Sequence, residues 1–161
     1  MGRRMRLQLE HLYRSHGQRF ARLAWAITGD RELAWDALQD GFAKALVRSG
    51  SFRGDGSLEA WVARIVTNAA RDALRRQRLD RRPAAIDDAS ETELVGDDTL
   101  LRSAVAALPE RQRLAVFLRY YADFDYAQIA DVLGIERGTV SAMLNAAHAT
   151  LARTLKEEIT R

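Results

Sequence analysis

Trp61, Arg64, Asn68, Arg71 and Arg75 follow one another in alternating steps of three and four, the repeat that lines side chains along one helical face. An asparagine amide there can hydrogen-bond a base edge, and guanidinium groups pair with phosphates. The stripe therefore carries the chemistry of a nucleic-acid contact. Trp61 itself reads first as a core residue, and Phe52, upstream, is open between core and contact surface. A second stripe, Asp36, Gln39 and Asp40, is acidic and suits arginines of a protein partner; taken alone, it reads better as a solvated face. A third group, Arg137, Thr139, Ser141 and Asn145, sits just after Gly134, where small polar side chains can meet phosphates and base edges.

Other chemistries find no residues to carry them. There is no cysteine, so disulfides, thiolate metal sites and cysteine nucleophiles are excluded together. His11, His16 and His148 are dispersed, with no second ligand at metal spacing. The only glycine-rich stretch of note, residues 53–57, has neither the spacing nor the lysine of a phosphate-binding loop. The expectation is a protein with no enzymatic activity, no metal and no cofactor.

The elements that must hold these stripes are helices. Leu9, Leu12, Tyr13, Phe20, Leu23, Ala24 and Ile27 keep a helical spacing. Thr28, Gly29 and Asp30 then read as a helix stop followed by an N-cap, with Glu32 in the next first turn. A second helix, residues 31–47, buries Leu33, Ala37, Leu38, Phe42 and either Ala45 or Leu46. Three glycines make residues 49–57 a loop. A third helix, residues 58–78, buries Trp61, Ile65, Ala69 and Leu74 and ends in Arg71, Arg75, Arg76 and Arg78. Beyond Pro83, residues 83–98 show no helical period and read as an acidic linker.

Helical patterning resumes at Thr99. Leu101, Val105 and Leu108 mark a short helix. Pro109 suits the first turn of the next, residues 110–121, which buries Leu114, Phe117, Leu118 and Tyr121. Asp125 can cap a helix over residues 126–133, and Gly134 supplies a left-handed turn residue. A last helix, residues 137–158, places Val140, Leu144, Ala147, Leu151 and Leu155 on one face. Helix, tight glycine turn, helix is the helix-turn-helix layout, whose second helix enters the major groove; a hairpin that only packs is the plainer reading. The fold class is all-α, two small helical domains joined by an acidic linker: residues 1–82, 83–98 and 99–161.

The charge follows that division. Residues 1–82 hold 17 Lys/Arg against 9 Asp/Glu, residues 83–98 hold six acids and no base, and residues 99–161 hold 8 against 7. A basic block, an acidic strap and a near-neutral block point to three tasks. No uncharged run approaches a membrane span, and the start, with Arg3, Arg4 and Arg6, has no apolar run behind it long enough for a signal peptide. The expected place is the cytoplasm.

The second block resembles region four of extracytoplasmic-function (ECF) sigma factors, which reads the −35 promoter element. "LPERQR", "LRY", "YAQIADVLG" and "GTV" stand in it at the family's spacing. Residues 12–78 are similar to region two of the same family. The resemblance implies that Asp36, Gln39 and Asp40 dock on the clamp helices of the largest RNA polymerase subunit. It implies that Phe52 and its neighbours hold a flipped base of the −10 element, with Trp61, Arg64, Asn68, Arg71 and Arg75 alongside. Arg137, Thr139, Ser141 and Asn145 would face the −35 element. The sequence departs from the family pattern in two places. Trp35 stands where members usually have glutamate, and Ser141, Met143 and Ala146 stand where members usually have basic residues. The second departure implies a −35 contact that is weak or partly replaced by protein contact.

Core RNA polymerase and promoter DNA are the implied partners, with an anti-sigma factor as the resting partner and no membrane insertion. The acidic strap suits the polymerase's basic template channel as well as it suits a solubilising tether. Two other readings stay open: a free-standing helix-turn-helix transcription regulator, and a sigma-like adaptor protein. The helical, arginine-rich first block speaks against the regulator, which would need a ligand or phosphoacceptor domain there.

Overall fold

The structure, a computed structural model, describes residues 2–80 and 99–161. The linker expected over residues 83–98 lies outside the described residues. The chain divides into two compact units between Asp88 and Ala89. Among the described residues there are seven α-helices and no strand.

In the first unit α1 (Gly2–Thr28), α2 (Arg31–Val47) and α3 (Leu58–Asp80) each pack against the other two. The ends of α2 follow local chemistry. Gly29 takes a positive φ of 65° after α1, and the Leu33 N–H donates to Asp30 Oδ1 at 3.0 Å. Such a cap satisfies one of the amides that a helix start leaves unpaired. The Ser57 hydroxyl does the same for α3, accepting from the Ala60 N–H at 3.1 Å. Between α2 and α3 small residues permit close approach. Ala34, Ala37, Gly41 and Ala45 on α2 and Ala63, Ala69 and Ala70 on α3 are all buried. Arg19 donates to Glu59 at 2.8 Å, tying α1 to the first turn of α3.

The second unit is built from α4 (Thr99–Ala106), α5 (Glu110–Tyr120), α6 (Tyr126–Leu133) and α7 (Arg137–Thr160), with α7 packed against the other three. Leu114, Leu118, Ile129, Val140 and Leu144 are almost wholly buried and form the core. Asp125 and Gln128 make a reciprocal capping box at α6: the Gln128 N–H donates to Asp125 Oδ1 at 2.8 Å and the Asp125 N–H to Gln128 Oε1 at 2.9 Å. Gly134 ends α6 in the left-handed region, φ 66° and ψ 41°.

Several burial expectations are corrected. Tyr13 is 38% exposed and Leu46 42% exposed, so Ala45 is the inward residue of its pair. Leu33, Trp61, Leu74, Leu101, Val105, Tyr121, Leu151 and Leu155 are half-buried rather than enclosed. Units this small have too little interior to cover every apolar side chain. Pro109 occupies the N-cap of α5, one position before the first turn.

Candidate polymerase and nucleic-acid interfaces

At about 100° of rotation per residue, Trp61, Arg64, Asn68, Arg71 and Arg75 fall within roughly 80° of arc on α3. Arg64, Asn68 and Arg75 are exposed; Arg71 and Trp61 are half-buried. The loop before α3 begins with a single 3-10 turn, Ser49–Ser51, and continues through Gly54 and Gly56 at φ 80° and 143°. Those left-handed torsions turn the chain so that Phe52 meets Trp61, ring centroids 5.4 Å apart and planes 51° apart. Phe52 is thus neither core nor free surface. Its ring and that of Trp61 form a half-covered aromatic pair at the head of the cationic stripe. Aromatic faces stack on bases and guanidinium groups neutralise phosphates, so the arrangement suits a single strand laid along α3. Arg75 is also ion-paired with Asp72 one turn earlier.

Asp36, Gln39 and Asp40 share an arc of about 100° on the solvent side of α2. Asp36 and Gln39 are exposed. Asp40 is half-buried and its Oδ2 lies 2.8 Å from Lys44 Nζ, so part of its charge is met within the helix. Glu32, in the first turn of α2, lies on the same arc and is exposed, and its spacing of four from Asp36 extends the carboxylate row by one turn.

On α7 the four candidate residues divide. Arg137, Ser141 and Asn145 stand one turn apart along one side, whereas Thr139 lies about 160° round from Ser141. Arg137, Thr139 and Asn145 are exposed and Ser141 is half-buried. Between Arg137 and Arg153 α7 carries no lysine or arginine. Beside this side Tyr120 Oη and His148 Nε2 are 2.8 Å apart. That pairing joins α5 to α7 across 28 positions, which no local spacing could reveal.

One motif residue has a structural task. Arg113 Nη1 donates to the carbonyl of Ala106, the last residue of α4, at 2.9 Å and to that of Leu108, in the connection to α5, at 3.4 Å. Burial lowers the pKa of its guanidinium from the ordinary arginine value, with Glu110 acting in the opposite sense. No helix is long and apolar enough to cross a membrane among the described residues.

The family profile described as Sigma-70 region 2 matches residues 12–79, and that described as Sigma-70, region 4 matches residues 98–151. The ECF RNA polymerase sigma factor SigM of Mycobacterium tuberculosis is 36% identical over 154 residues, covering 93% of this chain and 78% of the relative. RNA polymerase sigma factor SigV of Bacillus subtilis is 30% identical over 134 residues, covering 80% of each. Among solved structures, the sigma factor RpoE of Bartonella quintana, in complex with the anti-sigma factor NepR, aligns with a TM-score of 0.69 at 26% identity. That alignment covers 91% of this chain and 95% of RpoE. With both sigma regions matched in order on a chain whose described elements are all helices, and with relatives of this similarity along most of its length, the protein belongs to the ECF RNA polymerase sigma factors.

Proposed function

We propose that this chain is a dissociable subunit that brings core RNA polymerase to particular promoters and starts DNA melting. The observation that carries the reading is the pairing of two faces on one three-helix unit: a carboxylate stripe on α2 and an aromatic, cationic stripe on α3. A protein that only binds DNA has no use for the first, and an adaptor has no use for the second. In this reading Asp36, Gln39 and Asp40 dock on core polymerase. Phe52, Trp61, Arg64, Asn68, Arg71 and Arg75 hold the opened −10 element, with Asn68 reading a base edge and the arginines meeting phosphates. Arg137, Thr139, Ser141 and Asn145 face the −35 duplex.

The working division is residues 1–82 for polymerase and −10 contacts, 83–98 for a connecting strap, and 99–161 for −35 contacts. The subunit works in the cytoplasm and catalyses no reaction itself. Its resting partner is an anti-sigma factor, a proposal supported by the complex in which the RpoE relative was solved.

The test is gel filtration of the full chain with bacterial core RNA polymerase. Co-elution that weakens in the Asp36→Ala/Asp40→Ala chain is the expected result. Failure to co-elute while double-stranded DNA is still bound would replace this reading with that of a free-standing regulator.

A further inference from the structure

The carboxylate stripe of α2 has an apolar flank. Round the solvent side of the helix the order is Trp35, Leu46, Gln39, Asp36, Asp40, the first two within about 20° of each other. Trp35 is half-buried and Leu46 is 42% exposed. Phe42 lies between them along the axis and is buried, and α1 covers it with Tyr13, whose ring meets it edge-on with centroids 5.1 Å apart. Tyr13 is itself 38% exposed. Trp35, Tyr13 and Leu46 thus border one strip, about 16 Å long by the rise of an α-helix.

Single exposed apolar residues are ordinary on a protein surface. Two of them and a half-buried tryptophan along one flank, beside a row of carboxylates, resemble the arrangement of a binding surface, in which an aromatic anchor carries most of the free energy and charges set orientation. The carboxylates alone would be a weak hold, because exposed ion pairs contribute little and salt screens them.

We propose that Trp35, Tyr13 and Leu46 form an apolar anchor for the protein that docks on α2. That partner sets an aliphatic or aromatic side chain against the strip and basic side chains against Asp36 and Asp40. The inference rests on reading α2 as the polymerase-docking face, and it adds a salt-resistant component to that contact.

The experiment measures binding of the full chain to core RNA polymerase at about 0.1 M and about 0.5 M salt, where screening differs strongly. Trp35→Ala and Leu46→Asp are expected to weaken binding by about tenfold or more at both salts. Asp36→Ala/Asp40→Ala is expected to weaken it chiefly at low salt. Leu46→Asp alters an exposed position, so it reports on docking even if Trp35→Ala unsettles the fold; helical circular dichroism checks both. Unchanged binding in Leu46→Asp and in a folded Trp35→Ala chain, with the aspartate effect intact, would overturn the anchor and leave the docking face standing. Loss of the aspartate effect alone would sink the carboxylate reading and keep the anchor. No binding by the unmodified chain removes both. Self-association of the free chain that Leu46→Asp abolishes, with polymerase binding unaffected, would give the strip to a second copy instead.

Discussion

Gly41 and Gly17 both lie inside helices, yet a methyl group added at each meets a different neighbourhood. At Gly41 it would stand 2.7 Å from Val66 Cγ2 and 3.0 Å from Val66 Cα, so α3 itself would have to move. At Gly17 nothing lies within 4 Å. Alanine improves helix propensity by about 1 kcal/mol, whereas overpacking a core costs about 1–3 kcal/mol. Gly41→Ala is therefore expected to destabilise the first unit by up to about 2 kcal/mol, and Gly17→Ala to stabilise it by up to about 1 kcal/mol. Urea unfolding checks both, as opposite shifts of the midpoint; equal shifts would refute the packing argument. Thr67 is the complementary case: it is fully buried, and its hydroxyl finds no hydrogen-bond partner among the described residues. Thr67→Val keeps the shape and removes an unpaired polar group, so a gain of about 1 kcal/mol is expected, read as a raised melting temperature. Neither position was legible beforehand. A periodic pattern marks which face of α3 is apolar, but not that α2 and α1 enclose an arc wider than that face.

Helix ends show where local chemistry suffices and where it does not. Asp30, Asp125 and Gly134 could be read from the sequence because each acts on backbone groups within four residues of itself. The clasp by Arg113 could not, since its acceptors are carbonyls on the far side of Pro109. The candidate contacts divide the same way. Each stripe on α2 and α3 follows from spacing within one helix, whereas the Phe52 and Trp61 pair depends on how two glycines turn the loop between them. On α7, spacing placed Thr139 with Ser141 in sequence while helical rotation sets them on opposite flanks. The capping box of α6 gives a prediction at this scale. Asp125→Ala removes the side-chain acceptor of the box and is expected to cost about 1–2 kcal/mol, with Asp125→Asn retaining most of it. Hydrogen exchange is the suitable measurement: protection should fall at the start of α6 while α1, α2 and α3 keep theirs. Loss of protection in both units would mean that the cap matters for more than its own unit.

Across the whole chain the basic charge is concentrated in residues 1–82, a balance of +8 from 17 Lys/Arg and 9 Asp/Glu, against +1 in residues 99–161 from 8 and 7. Each phosphate neutralised by a protein cation releases condensed counterions, so the slope of log affinity against log salt counts those contacts. With no lysine or arginine between Arg137 and Arg153, α7 can supply few of them, whereas the exposed side of α3 carries Arg64 and Arg75 with Arg71 at its edge. The salt dependence of promoter binding should therefore come mainly from the −10 side. In holoenzyme assembled with core polymerase on a promoter fragment, Arg64→Ala and Arg75→Ala are each expected to flatten the slope by about 1. Asn145→Ala should leave the slope unchanged and alter only the preference among upstream bases. The comparison separates charge from reading, because the two kinds of variant weaken binding through different quantities. If the double Arg64→Ala/Arg75→Ala chain keeps the unmodified slope, α3 does not meet phosphates, and the cationic stripe must serve another contact.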